Sequence, residues 1–138
     1  MVIKEYKSKY LDEELFRYRK IDYEIAVREL ELISRESNEE ANIGGGRGNK
    51  ISKPTEEMAI KLADDITLKN LKNFKETVNK LISELDDQQK LIFKMRWITL
   101  GYSWNEIGER LFISTATIYR KREAILEKFE ELLGKSKR

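Results

Sequence analysis

The stretch Glu109–Ile125, ERLFISTATIYRKREAI, decides how the chain is read. It begins with helical spacing, breaks at Phe112-Ile113-Ser114, and resumes with three consecutive cations, Arg120-Lys121-Arg122. Ile107 and Leu111 lie four apart on the inner face of a short helix, and Gly108 between them permits a close helix crossing. Ile113 plugs the turn, Ser114 supplies an N-capping hydroxyl, and Ile118 returns to the same core. A small residue at the crossing, an apolar plug and a hydroxyl cap form the helix-turn-helix pattern used to dock on DNA.

The second helix of this pair divides into faces. Ile118, Ile125, Phe129 and Leu132 turn inward. Thr115, Ala116, Tyr119 and Arg120 fall on the outer side near the amino end, the end that enters a major groove. Thr and Ala methyls suit a thymine methyl, and Arg120 suits a bidentate pair with guanine. Lys121 and Arg122 are expected on phosphates, while Ser114 and Thr117 complete the amino end. Ser103 and the amides after it, beginning with Trp104, form a second expected phosphate seat at a helix N-terminus. The rings of Trp97 and Trp104 are expected to serve packing rather than base stacking. The bland alternative is a solvated basic face, the usual meaning of three cations in a row; the cap, turn and core spacing weigh against it.

Outward from this stretch, a helix is expected over about 87–99, another over 103–111 and a third over 114–133, so residues 86–138 form the DNA-binding domain. Upstream, residues 1–41 carry an amphipathic helix, with Leu15, Tyr18, Ile21, Ile25, Leu30 and Ile33 at three-to-four spacing. Residues 42–54, NIGGGRGNKISKP, read as a glycine-rich linker. Residues 55–85 form a central helical segment with a stripe through Met58, Leu62, Ile66, Leu71, Phe74, Val78, Leu81 and Leu85, and Asp64-Asp65 as its weak point. The fold class is therefore all-α, with long helices that pair as a hairpin or across subunits. Self-association into a homo-oligomer is expected, because one helix-turn-helix grips little DNA.

Composition agrees. Of 138 residues, 38% are charged and only one is proline. The net charge is only +2, yet residues 87–138 hold 11 cations against 7 acids, while residues 1–54 hold 11 of each. A local basic surface matters more for nucleic acid than the global sum. The chain has no cysteine and no histidine, which removes thiol nucleophiles, Cys/His zinc sites and imidazole general bases. Asp64-Asp65 and Asp86-Asp87 read as helix-flanking acids rather than a metal site, and the glycines near Arg47 and Lys50 lack the ending of a phosphate loop. No catalytic residue, metal or cofactor is expected. No apolar run approaches the roughly 20 residues of a membrane span, so a cytoplasmic protein without membrane contact is expected.

Residues 85–129 resemble the fourth conserved region of bacterial sigma factors. Ser103, Glu106, Ile107, Leu111, Ile113, Ser114, Thr117 and Ile118 match its pattern; Gly108 replaces the usual alanine, Phe112 the usual glycine, and Arg122 stands where an apolar residue is common. With the helical first half, NIGGG (Asn42 to Gly46) and SKPTEEMAI (Ser52 to Ile60), the whole resembles phage late-transcription regulators of the RinA/ArpU type. That resemblance implies a phage- or prophage-encoded activator that binds double-stranded promoter DNA and contacts host RNA polymerase. The competing expectation is a phage small terminase subunit that recognises a packaging site. A third class is a helical interaction protein without a DNA role, its basic helix docked on an acidic partner.

Overall fold

The computed structural model describes residues 2–44, 55–99 and 101–136. The protein is all-α: among the described residues there is no strand. Helix α1 spans Val2–Phe16 and α2 spans Ile21–Gly44, joined by a 3₁₀ turn, Arg17–Lys20. Then follow α3 (Glu56–Asp64), α4 (Ile66–Glu84), α5 (Asp87–Phe93, continuing as a π-helical segment, Lys94–Ile98), α6 (Trp104–Leu111) and α7 (Thr115–Ser136). The expected linker overlaps the end of α2 at residues 42–44; its remainder, 45–54, lies outside the described residues.

The chain divides into two compact units, one of Met1–Lys20 with Phe74–Arg138 and one of Ile21–Asn73. This corrects two expectations. The single helix expected in residues 1–41 is two helices, and α1 groups with Phe74–Arg138 rather than with the rest of that segment. The physical reason is burial: Leu11 and Leu15 enter the same core as Phe93, Trp97, Ile118 and Phe129. The 3₁₀ turn then sets Tyr18 edge-on to Phe93 and lets Arg19 Nε donate to the Trp97 carbonyl at 2.9 Å. The Tyr18 hydroxyl also donates to Asn79 Oδ1 on α4.

The π segment explains how α1 is fastened. Its Thr99 N–H reaches back five residues to the Lys94 carbonyl at 2.8 Å. One extra residue in the turn rephases the side chains, and both Arg96 and Trp97 meet Asp12 of α1. Arg96 Nε and Nη2 donate to the two Asp12 carboxylate oxygens at 3.1 and 2.6 Å, and Trp97 Nε1 donates to Oδ1 at 3.0 Å. Arg96 Nη1 bonds the Tyr102 carbonyl at 2.9 Å, so one guanidinium ties α1 to the approach to α6. Gly101 in that approach has φ +66° and would set a Cβ 3.1 Å from Arg19 Nη2, so glycine fits both its backbone and its space.

The unit Ile21–Asn73 is held by Arg28 of α2, whose Nε and Nη2 donate to Asp65 at 2.9 and 2.8 Å. Asp65 also accepts the Leu68 N–H at 2.9 Å, starting α4 where the doubled acids were expected to break the helix. That restart resets the register. Ile66, expected in the apolar stripe, is exposed, whereas Leu68 is buried; Leu30 of α2 is likewise exposed. Among the described residues of this unit, Ile21, Met58 and Leu68 are buried apolar side chains.

Candidate nucleic-acid interface

Helix α6 opens with a capping box. Ser103 Oγ accepts the Glu106 N–H at 3.2 Å and the Glu106 carboxylate accepts the Ser103 N–H at 3.1 Å. Donation to the carboxylate from the Ser103 backbone N–H first, and from its hydroxyl next, holds the Glu106 carboxyl below the usual carboxylate range. An anionic group thus already serves the end where a phosphate seat was expected, and it would repel a second anion. The Trp104 side chain is buried, edge-on to Trp97 and beneath the Arg96 guanidinium. Its ring therefore serves packing, as expected.

The turn closes as a Schellman motif: Ile113 N–H bonds the Gly108 carbonyl at 2.8 Å and Phe112 N–H bonds the Glu109 carbonyl at 3.3 Å. A Cβ on Gly108 would lie 3.0 Å from the Ile113 carbonyl oxygen and 3.6 Å from Ile118, so the close crossing expected there is present. Phe112 takes the left-handed position, φ 56° and ψ 44°, that glycine usually fills. Ser114 then begins α7. Its Oγ accepts the Thr117 N–H at 3.3 Å and donates to the Thr117 hydroxyl at 2.9 Å.

Along α7 the division into faces matches the spacing. Ile118, Ile125, Phe129 and Leu132 are buried. Thr115, Ala116, Tyr119 and Arg120 are exposed together at the amino end, with Lys121 half-buried beside them. Arg122, expected on phosphate, is half-buried. Four residues after Ile118, it turns toward the protein: Nη2 pairs with Glu123 at 3.3 Å, the guanidinium lies 5.3 Å from the Tyr119 ring centre, and Nε is buried without a hydrogen-bond partner. Ser114 and Thr117 act chiefly in the cap.

Beyond Arg120, α1 packs along one side of the helix. The buried Ser8 hydroxyl donates to both Glu123 oxygens, at 3.0 and 3.1 Å, and Lys7 pairs with Glu130. The exposed residues described beyond Arg120 include Ala124, Glu127, Glu131 and Lys135, two of them acids, and no arginine, so the basic, hydroxyl-bearing part of the exposed face lies in the first two turns. The packing of α1 also ties up the carboxylate nearest that face. One exposed cation that the sequence pattern did not single out is Arg110 on α6, held 4.4 Å over the Tyr102 ring. A spacing signal for it existed only in three dimensions, since Tyr102 lies outside the helix. Among the described residues no group of three or more acids is placed to hold a metal ion, and no helix is long and apolar enough to cross a membrane.

Fold and geometry define an all-α protein whose last two helices present a small, mixed hydroxyl, aromatic and basic face. The chain belongs to the family described as Protein of unknown function (DUF722), whose model matches residues 7–131. No curated protein and no solved structure matches it.

Proposed function

We propose that this chain is a sequence-specific double-stranded DNA-binding transcription regulator, acting in the cytoplasm of a bacterial host as a phage or prophage late-gene activator. The observation that carries the DNA reading is the amino end of α7, where Thr115, Ala116, Tyr119 and Arg120 are exposed side by side. A helix presented by its first two turns matches the width of a major groove and the way recognition helices enter it. Arg120 reads guanine, Thr115 and Ala116 meet thymine methyls, and Lys121 meets phosphate. The late-gene role and the contact with host RNA polymerase rest on the resemblance to sigma region four and the RinA/ArpU regulators. Self-association supplies the second half-site, and light scattering is expected to return a dimer at micromolar concentration; a monomer there would count against it.

The test is selection of sheared genomic DNA by the purified chain, with Arg120→Ala in parallel. Enrichment of one promoter-proximal site ahead of late genes, lost in the variant, supports the activator. Enrichment beside a terminase gene moves the protein to DNA packaging, and uniform recovery unaffected by the variant overturns the DNA reading.

A further inference from the structure

Phe112 combines two features that oppose each other unless its ring has a partner. Its backbone is left-handed, a conformation that strains every side chain with a Cβ and that glycine adopts freely. Its side chain is 96% exposed, so the strain is not offset by burial within this chain. The surrounding turn is otherwise fully engaged: the Phe112 and Ile113 N–H groups close the helix, and Ser114 caps the next. What the turn gains from phenylalanine at this position is therefore an outward-facing aromatic ring.

Its place points to the occupant. Phe112 lies two residues before the Ser114 cap, within about 7 Å of chain from the end of α7 that carries the exposed hydroxyls and Arg120. We propose that Phe112 is a specificity-determining residue that packs its ring against a thymine methyl at the edge of the base pairs read by α7. This rests on the DNA-binding reading above and deepens it. Duplex DNA offers one apolar group in the major groove, the C5 methyl of thymine, and a phenyl ring is among the side chains that contact it. The contact is uncharged, so it adds sequence preference without phosphate neutralisation, which complements Lys121.

The experiment starts from duplexes that the wild-type chain enriches from a random pool. Affinities of wild type, Phe112→Gly and Arg120→Ala are then measured on that duplex and on versions with each thymine replaced in turn by deoxyuridine. Wild type is expected to lose about fourfold at one thymine, the worth of burying one methyl. Phe112→Gly is expected to bind the thymine duplex about tenfold more weakly, to be indifferent to that replacement, and to keep the wild-type salt slope. Arg120→Ala is expected to remain sensitive to it. Glycine suits the left-handed position, so far-UV circular dichroism should show Phe112→Gly folded, and weakened binding cannot be ascribed to misfolding. If wild type enriches a duplex and Phe112→Gly binds it equally well, or still senses the same thymine, this inference is overturned while the DNA reading stands. If wild type enriches no duplex, both fall.

Discussion

Replacing Asp12 by alanine tests the claim that α1 is built into the C-terminal unit. The carboxylate accepts two hydrogen bonds from Arg96 and one from Trp97, and the Asp12 and Arg96 side chains are only 13% and 16% exposed. Removing one partner of such a pair leaves a guanidinium with little access to water. The cost of breaking a buried pair is 3–5 kcal/mol; the residual exposure and the surviving bond from Trp97 Nε1 to the Asp12 carbonyl put this case at about 3 kcal/mol. With a urea slope near 2 kcal/mol/M, the unfolding midpoint should fall by about 1.5 M. Tryptophan fluorescence is the right probe, because the chain has two tryptophans, Trp97 and Trp104, and both lie in this core. Asp12→Asn keeps one acceptor and should fall between. The double change Asp12→Leu with Arg96→Met should recover most of the loss, since apolar replacement of both partners removes the stranded charge. A midpoint shift below about 0.3 M for Asp12→Ala would refute the reasoning and mean that Leu11 and Leu15 alone seat α1.

Four further outcomes are expected. Arg28, by its hydrogen bonds, and the Leu68 N–H lower the Asp65 pKa from 3.8 to about 2, so their support for the folded state is complete above pH 4 and lost as pH falls toward 2. Hydrogen exchange at the Leu68 amide, corrected for intrinsic rate, should lose protection across that window in wild type but show no such step in Asp65→Asn. Phe112→Gly should stabilise the fold by about 0.5–1 kcal/mol, raising Tm by roughly 2–5 °C; a lower Tm would show that the ring packs on its own protein. Gly108→Val should cost about 2 kcal/mol or more in thermal unfolding, because the added side chain meets the Ile113 carbonyl. In salt titrations of DNA binding, Lys121→Ala should reduce the slope by about 0.9, whereas Arg122→Ala should leave the slope unchanged and lower stability instead; equal slope changes would place both residues on phosphates.

Much of this was legible in the residues. The caps at Ser103 and Ser114, the small Gly108 and the inward run from Ile118 to Leu132 are local signals, and local geometry obeys them. Asp65 was legible as a break for the same reason, since its carboxylate bonds an amide three residues on. The membership of α1 was not, because Asp12 and Arg96 are 84 positions apart and neither residue type names its partner. For Arg122 the sequence offered one hint, its place where an apolar residue is common, yet its spacing still grouped it with Lys121. Only rotation relative to Ile118 separates a free guanidinium from one held against Glu123. Phe112 stood between these cases: its departure from glycine was visible as a mismatch, but its left-handed backbone and bare ring needed coordinates.

The interleaved order of the two units has a consequence during synthesis. Helix α1 leaves the ribosome long before α5, α6 and α7 exist. Between Lys20 and Phe74 lie on the order of 50 residues, roughly 3–10 s of translation at bacterial rates of about 5–20 residues per second. Throughout that interval Leu11, Leu15 and Asp12 have no core, no guanidinium and no indole to meet. Ser8 likewise waits for Glu123, so a nascent or prematurely terminated chain lacks the contacts that seat α1 on α7. The unit that begins with the first helix is therefore completed only when the last one has been made.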